Sequence, residues 1–137
     1  MAGTVRSVPR RGTAALSCAL VLSACSASGA ELPDRSDPAV HADEARLAAL
    51  IGSDSSVLGE EGTCAVRLLR RTEEAAFVWA ECTGRLHPDS GISAPMRVVG
   101  SQVLVPGDGP DYARDIRRLF PEDLVETVLA ADTTVRP

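Results

Sequence analysis

The stretch that most constrains the fold is 63–82. Two runs, TCAVRLLR (63–70) and AAFVWAEC (75–82), flank the short polar connection RTEE, and each carries a cysteine at the end far from it. Apolar and β-branched runs of this length read as strands, and so short a link joins them as an antiparallel hairpin. Paired positions in such a ladder have a constant index sum. Setting Cys64 opposite Cys82 puts Val66 against Ala80 and Leu68 against Val78, which makes one face uniformly apolar and supports that register. The other face then carries Arg67 with Trp79, Leu69 with Phe77, and Ala65 with Glu81.

The flanking segments fit around this hairpin. Asp37-Pro38 is a helix start, with Asp as N-cap and Pro at the first helical position. Val40, Leu47, Leu50 and Ile51 form its apolar stripe, and Gly52 is expected to stop it. SAPMRVV (93–99) and QVLVP (102–106) make a second hairpin around Gly100-Ser101. Met96, Val98, Val103 and Val105 share one of its faces, while Pro95 marks an edge. The loop PGDGPD leads to a helix with the stripe Tyr112, Ile116, Leu119 and Phe120. Pro121 ends that helix and begins a last short one with Leu124, Val125, Val128 and Leu129. The order α-β-β-β-β-α-α predicts an α+β domain over 38–131: a four-stranded antiparallel sheet with helices on one face. Residues 132–137 are left as a tail.

VWAEC, SGISAP and VPGDGPDYARDIRRLFP resemble a recurrent block in small exported bacterial proteins of unassigned function. The resemblance spans the region from Cys64 to Pro121. It supports the domain boundaries and implies no activity.

Export is also written at the N-terminus. The first 24 residues hold Arg6, Arg10 and Arg11, no acid, and the apolar run GTAALSCALVLSA. This is the layout of a signal peptide, and a run so short cannot span a membrane, which takes roughly 20 apolar residues. Leu22-Ser23-Ala24-Cys25 resembles the lipobox of bacterial lipoproteins at every required position. The resemblance implies cleavage before Cys25 and a diacylglyceryl group on its thiol, with fatty acids such as palmitate. The chain would then be lipid-anchored on the extracytoplasmic face of the cell membrane. The alternative is a plain secretory signal, cut after Ser28-Gly29-Ala30, and a secreted product. On the lipobox reading, 1–24 are signal and 25–37, CSASGAELPDRSD, are a flexible tether.

Cysteine parity agrees with that reading. Cys18 leaves with the signal, Cys25 takes the lipid, and Cys64 and Cys82 remain as a pair in an oxidising compartment. Loss of 1–24 also removes three arginines and takes the formal net charge from −5 to −8, with no lysine anywhere. Such a chain is a poor partner for nucleic acid.

Chemistry is harder to find. His41 and His87 are the only imidazoles, and neither lies near a nucleophile motif. Asp108, Asp111 and Asp115 lack metal-loop spacing and suit a helix N-terminus, so no metal or cofactor is expected. Glu60-Glu61 and Glu73-Glu74 read as solvated charge. Aromatics make up 3% of the chain, so two at alternate positions of one strand are informative. Phe77 and Trp79 either anchor helices to the sheet or form, with Arg67 and Arg97, an open partner-binding patch. Burial is the expected case, with Arg67 covering the Trp79 ring and pairing with Glu81. The resulting expectation is a membrane-anchored envelope lipoprotein with a small non-catalytic binding or structural domain, its partner an envelope protein or glycan. The alternatives are a small envelope hydrolase acting on glycans and an inhibitor of a secreted hydrolase.

Overall fold

The computed structural model describes residues 29–137. The signal segment and Cys25 lie outside the described residues. Helix α1 spans Pro38–Ser53 and begins as its sequence dictates: the Asp37 carboxylate accepts the Ala39 N–H at 2.8 Å, and Pro38 occupies a position that needs no donor. Gly52 does not stop it. The helix runs one residue further, and a Cβ at Gly52 would lie 2.6 Å from the Gly62 carbonyl oxygen. The glycine is there so that the helix end can touch the first strand. A short helix, α2 (Ser55–Leu58), is capped by the Asp54 carboxylate and closed by Gly59 in the left-handed region.

Four strands follow, β1 (Gly62–Arg71), β2 (Ala76–Gly84), β3 (Gly91–Val99) and β4 (Gln102–Leu104), in the antiparallel order β1-β2-β3-β4. A 3-10 turn at Gly109–Asp111 leads into α3 (Tyr112–Leu119) and then α4 (Glu122–Ala130). The α+β class, the antiparallel sheet and the broad order of elements are those expected from the sequence. Cys64 lies opposite Cys82, Val66 opposite Ala80 and Arg67 opposite Trp79, and Cys64 and Cys82 form a disulfide. Closing a loop of 18 positions stabilises the fold by about 3 kcal/mol in the chain-entropy model.

The register changes after Leu68. Leu68 faces Val78, but Phe77 faces Arg70, so Leu69 is an inserted bulge residue and not the partner of Phe77. Leu68 is buried on one face and Leu69 on the other, as successive residues of a strand are, and the bulge re-aims the arginines that follow. Arg70 meets Asp123 of α4 at 2.6 Å, and Arg71 meets Asp43 of α1 at 3.1 Å.

Those two partners reveal the layering. Leu47 and Ile51 of α1 pack with Val66, Leu68, Val78, Met96 and Val98. Ile116, Leu124, Val125 and Val128 of α3 and α4 pack with Leu69, Phe77 and Trp79 on the opposite side. The helices therefore cover both faces of the sheet, where the sequence led us to place them on one. Val78 and its even neighbours are apolar, as are Phe77 and Trp79, so both faces of β2 require a cover.

The packed unit also extends beyond 38–131. Ala30 and Leu32, within the expected tether, pack against the second core, and the Pro33 carbonyl accepts the Arg67 guanidinium. In the expected tail, Val135 is fully buried. Arg35 ties the two segments together by donating to the carbonyls of Thr133, Thr134 and Arg136. Among the described residues, no helix is long and apolar enough to cross a membrane.

Candidate functional site

The residues singled out for partner binding are Arg67, Phe77, Trp79 and Arg97. Trp79 sits in the middle of β2 and is 3% exposed, with its indole N–H donating to Ser93 Oγ at 3.0 Å. Phe77 is 5% exposed and packs against Phe120 with ring centroids 5.5 Å apart. Arg67 is 4% exposed. Only Arg97 is half-buried; its Cζ lies 5.7 Å from the Phe77 ring centroid, and its Nε has no hydrogen-bond partner among the described residues. Phe77 and Trp79 are therefore under α3, α4 and the C-terminal segment, Arg67 is buried at the β1 edge against Glu44 and Pro33, and the residues do not make an open patch.

Two partners differ from expectation. Arg67 lies opposite Trp79 but does not cover its ring. β1 is an edge strand, and the long Arg67 stem carries its guanidinium around that edge to Glu44 of α1, 3.3 Å away, and to the Pro33 carbonyl at 2.6 Å. The same Glu44 oxygen accepts the outward Leu68 N–H at 2.8 Å, so one carboxylate neutralises a buried cation and satisfies an edge-strand donor. The cation over Trp79 is instead Arg136, with Cζ 5.1 Å from the ring centroid. Glu81 pairs with Arg136 at 3.6 Å, not with Arg67.

An open groove of about 700 Å³ lies between the N-terminal segment, the start of α1 and the end of β1, lined by Pro33, Asp34, Val40, Asp43, Leu68 and Arg71 among others. Its charges are mixed. Asp34 is held below the ordinary carboxylate range by the Ser36 backbone N–H, the Ser36 hydroxyl and the nearby Arg67. Asp43 is shared between Arg46 at 2.8 Å and Arg71 at 3.1 Å.

Two of the three acids near the start of α3 have partners of their own. Asp115 accepts the Gly107 N–H at 3.0 Å and lies 3.4 Å from Arg118, while Asp111 pairs with Arg114 at 3.0 Å. Neither Asp108 nor Asp111 caps with its side chain, so the capping expected of them is not how they are used. Among the described residues, no group of three or more His, Cys, Asp and Glu side chains is placed to hold a metal ion.

Glu60 is the largest departure from the sequence reading. Its carboxylate accepts the Leu86 N–H at 2.6 Å and meets His87 Nδ1 at 2.8 Å, pinning the loop between β2 and β3. No local pattern points to it, because the partners are separated by 26 and 27 positions. The Leu86 N–H, and after it the His87 ring, hold the Glu60 carboxyl below its ordinary pKa. The clamp thus contributes fully above the ordinary glutamate range and is lost as pH falls through the depressed value. In an NMR pH titration, the Leu86 amide proton should move with a midpoint below that of an ordinary glutamate, and Glu60→Gln should abolish the movement. A Leu86 amide insensitive to acid would contradict the clamp.

No family model, no curated protein and no solved structure matches the chain.

Proposed function

We propose that the chain is an exported lipoprotein, anchored through an acylated Cys25 on the extracytoplasmic face of the cell membrane, whose domain binds or supports another envelope component. The observation that carries this reading is the division of the cysteines. The Cys64–Cys82 disulfide consumes two of the three that follow the signal-like segment, and the third is the Cys of LSAC. A bridge of this kind suits an oxidising compartment, and a lipid thioether accounts for the odd thiol.

The fold adds a distance. Among the described residues Ala30 is the first to pack, and five steps of chain separate it from Cys25, a reach of at most about 17 Å. An anchored domain would ride close to the headgroups rather than on a long tether, with the mixed-charge groove between α1 and β1 as the face offered to a partner. Glu44, Asp123, Asp43 and Asp115 are each engaged by a nearby arginine, which favours binding over paired-carboxylate hydrolysis, where two acids must face one cleft.

Replacing the thiol tests the anchor. Cys25→Ala should abolish incorporation of labelled palmitate, leave the precursor uncut and shift the protein out of the lipidated membrane fraction. Wild-type chain that takes up no palmitate and is released into the medium would refute the proposal.

A further inference from the structure

The surface over Trp79 has the chemistry of a receptor for a guanidinium group. Trp79 and Glu81 are alternate residues of β2, and Ser93 is the cross-strand partner of Glu81 on β3. The three are wired together: the Trp79 indole N–H donates to Ser93 Oγ at 3.0 Å, and the Ser93 hydroxyl donates to Glu81 Oε1 at 3.2 Å. An aromatic face, a hydroxyl and a carboxylate are thereby fixed on adjacent strands before any ligand arrives. Planar stacking on an indole with a carboxylate at one side selects a guanidinium over an ammonium.

The present occupant is Arg136. Its Cζ stands 5.1 Å from the Trp79 ring centroid, and Nη1 is 3.6 Å from Glu81 Oε1 and 3.5 Å from Ser93 Oγ. These polar contacts are long, as is a further hydrogen bond of the side chain, from Nε to the Ala131 carbonyl at 3.3 Å, and the Arg136 and Glu81 side chains are 42% and 44% exposed. The segment is anchored elsewhere, by the buried Val135 and by Arg35 gripping its carbonyls. The Arg136 side chain can therefore swing off the ring without undoing the core.

We propose that Trp79, Ser93 and Glu81 form a binding site for an arginine side chain of a protein partner, and that Arg136 fills it in cis until the partner's arginine displaces it. The site does not depend on how the chain is anchored. Occupancy in cis lowers the apparent affinity by the fraction of time the site is open, about tenfold if it is open about a tenth of the time.

Trp79 is the only tryptophan in the chain, so its fluorescence reports on the site directly. The full chain and its Arg136→Gln variant would be titrated with N-acetyl-arginine amide, and with the uncharged N-acetyl-citrulline amide as control. The expected result is a saturable change in Arg136→Gln at about tenfold lower concentration than in the wild type, with little response to citrulline. Adding Glu81→Gln should remove the arginine response while leaving the emission maximum of the folded protein in place. Acrylamide quenching of Trp79, stronger in Arg136→Gln than in the wild type, gives a second reading that needs no ligand. Equal titrations in the two proteins, equal responses to arginine and citrulline, or no response in a folded Arg136→Gln would each overturn the site.

Discussion

Trp79→Ala should lower the free energy of unfolding by about 3 to 5 kcal/mol, the cost of emptying a large aromatic site in a core that cannot collapse around it. The ring is 3% exposed and shares its cluster with Leu69, Phe77, Ile116, Phe120 and Leu124. Few other large side chains are on hand to refill the space, since the chain has one Trp, one Tyr and two Phe. The substitution also orphans the indole's partner, Ser93, and removes the surface beneath Arg136. Urea unfolding followed by far-UV circular dichroism measures the effect. A loss below about 1 kcal/mol would mean that the ring does not close the second core.

Glu44→Ala should cost a similar amount, about 3 to 5 kcal/mol, although Glu44 lies on a helix face with no apolar role. It strands the Arg67 guanidinium, whose side chain is 5% exposed, with the Pro33 carbonyl as its remaining acceptor. It also deprives the Leu68 N–H of its acceptor at the sheet edge. Glu44→Gln keeps an acceptor for Leu68 and should cost less. Combining Glu44→Ala with Arg67→Met should recover much of the loss, because the uncompensated buried charge is gone. Additive effects in the double variant would show that the two side chains do not act as a pair.

The parts of this fold that can be read from the sequence are those set by local spacing. Asp37-Pro38 fixes a helix start, Gly100-Ser101 fixes a hairpin, and one cysteine on each side of RTEE, set opposite each other, fixes a register. The bulge was not legible: Leu68 and Leu69 would face opposite sides of a regular strand as well, so the pair gives no sign of an extra residue. The side of the sheet each helix takes was not legible, because an apolar stripe reports that a face is buried and not what buries it. The partners of Arg67, Glu60 and Trp79 were beyond reach for a related reason. Glu44, Leu86 and Arg136 come from 23 to 57 positions away, and nothing in a short window marks a charge that will cross that distance. Trp, Phe and Arg mark a patch by residue type alone, and those types serve a core as well as an interface.

Export and anchoring both turn on what each cysteine carries. Mass spectrometry of the purified exported protein, alkylated and digested without reductant, reads all of them at once. The expected result is an N-terminal peptide that begins at Cys25 with a diacylglyceryl group on its thiol, together with a Cys64–Cys82 cross-linked peptide bearing no alkyl label. An unlipidated N-terminus at Glu31, or alkylated Cys64 and Cys82 in unreduced material, would contradict it.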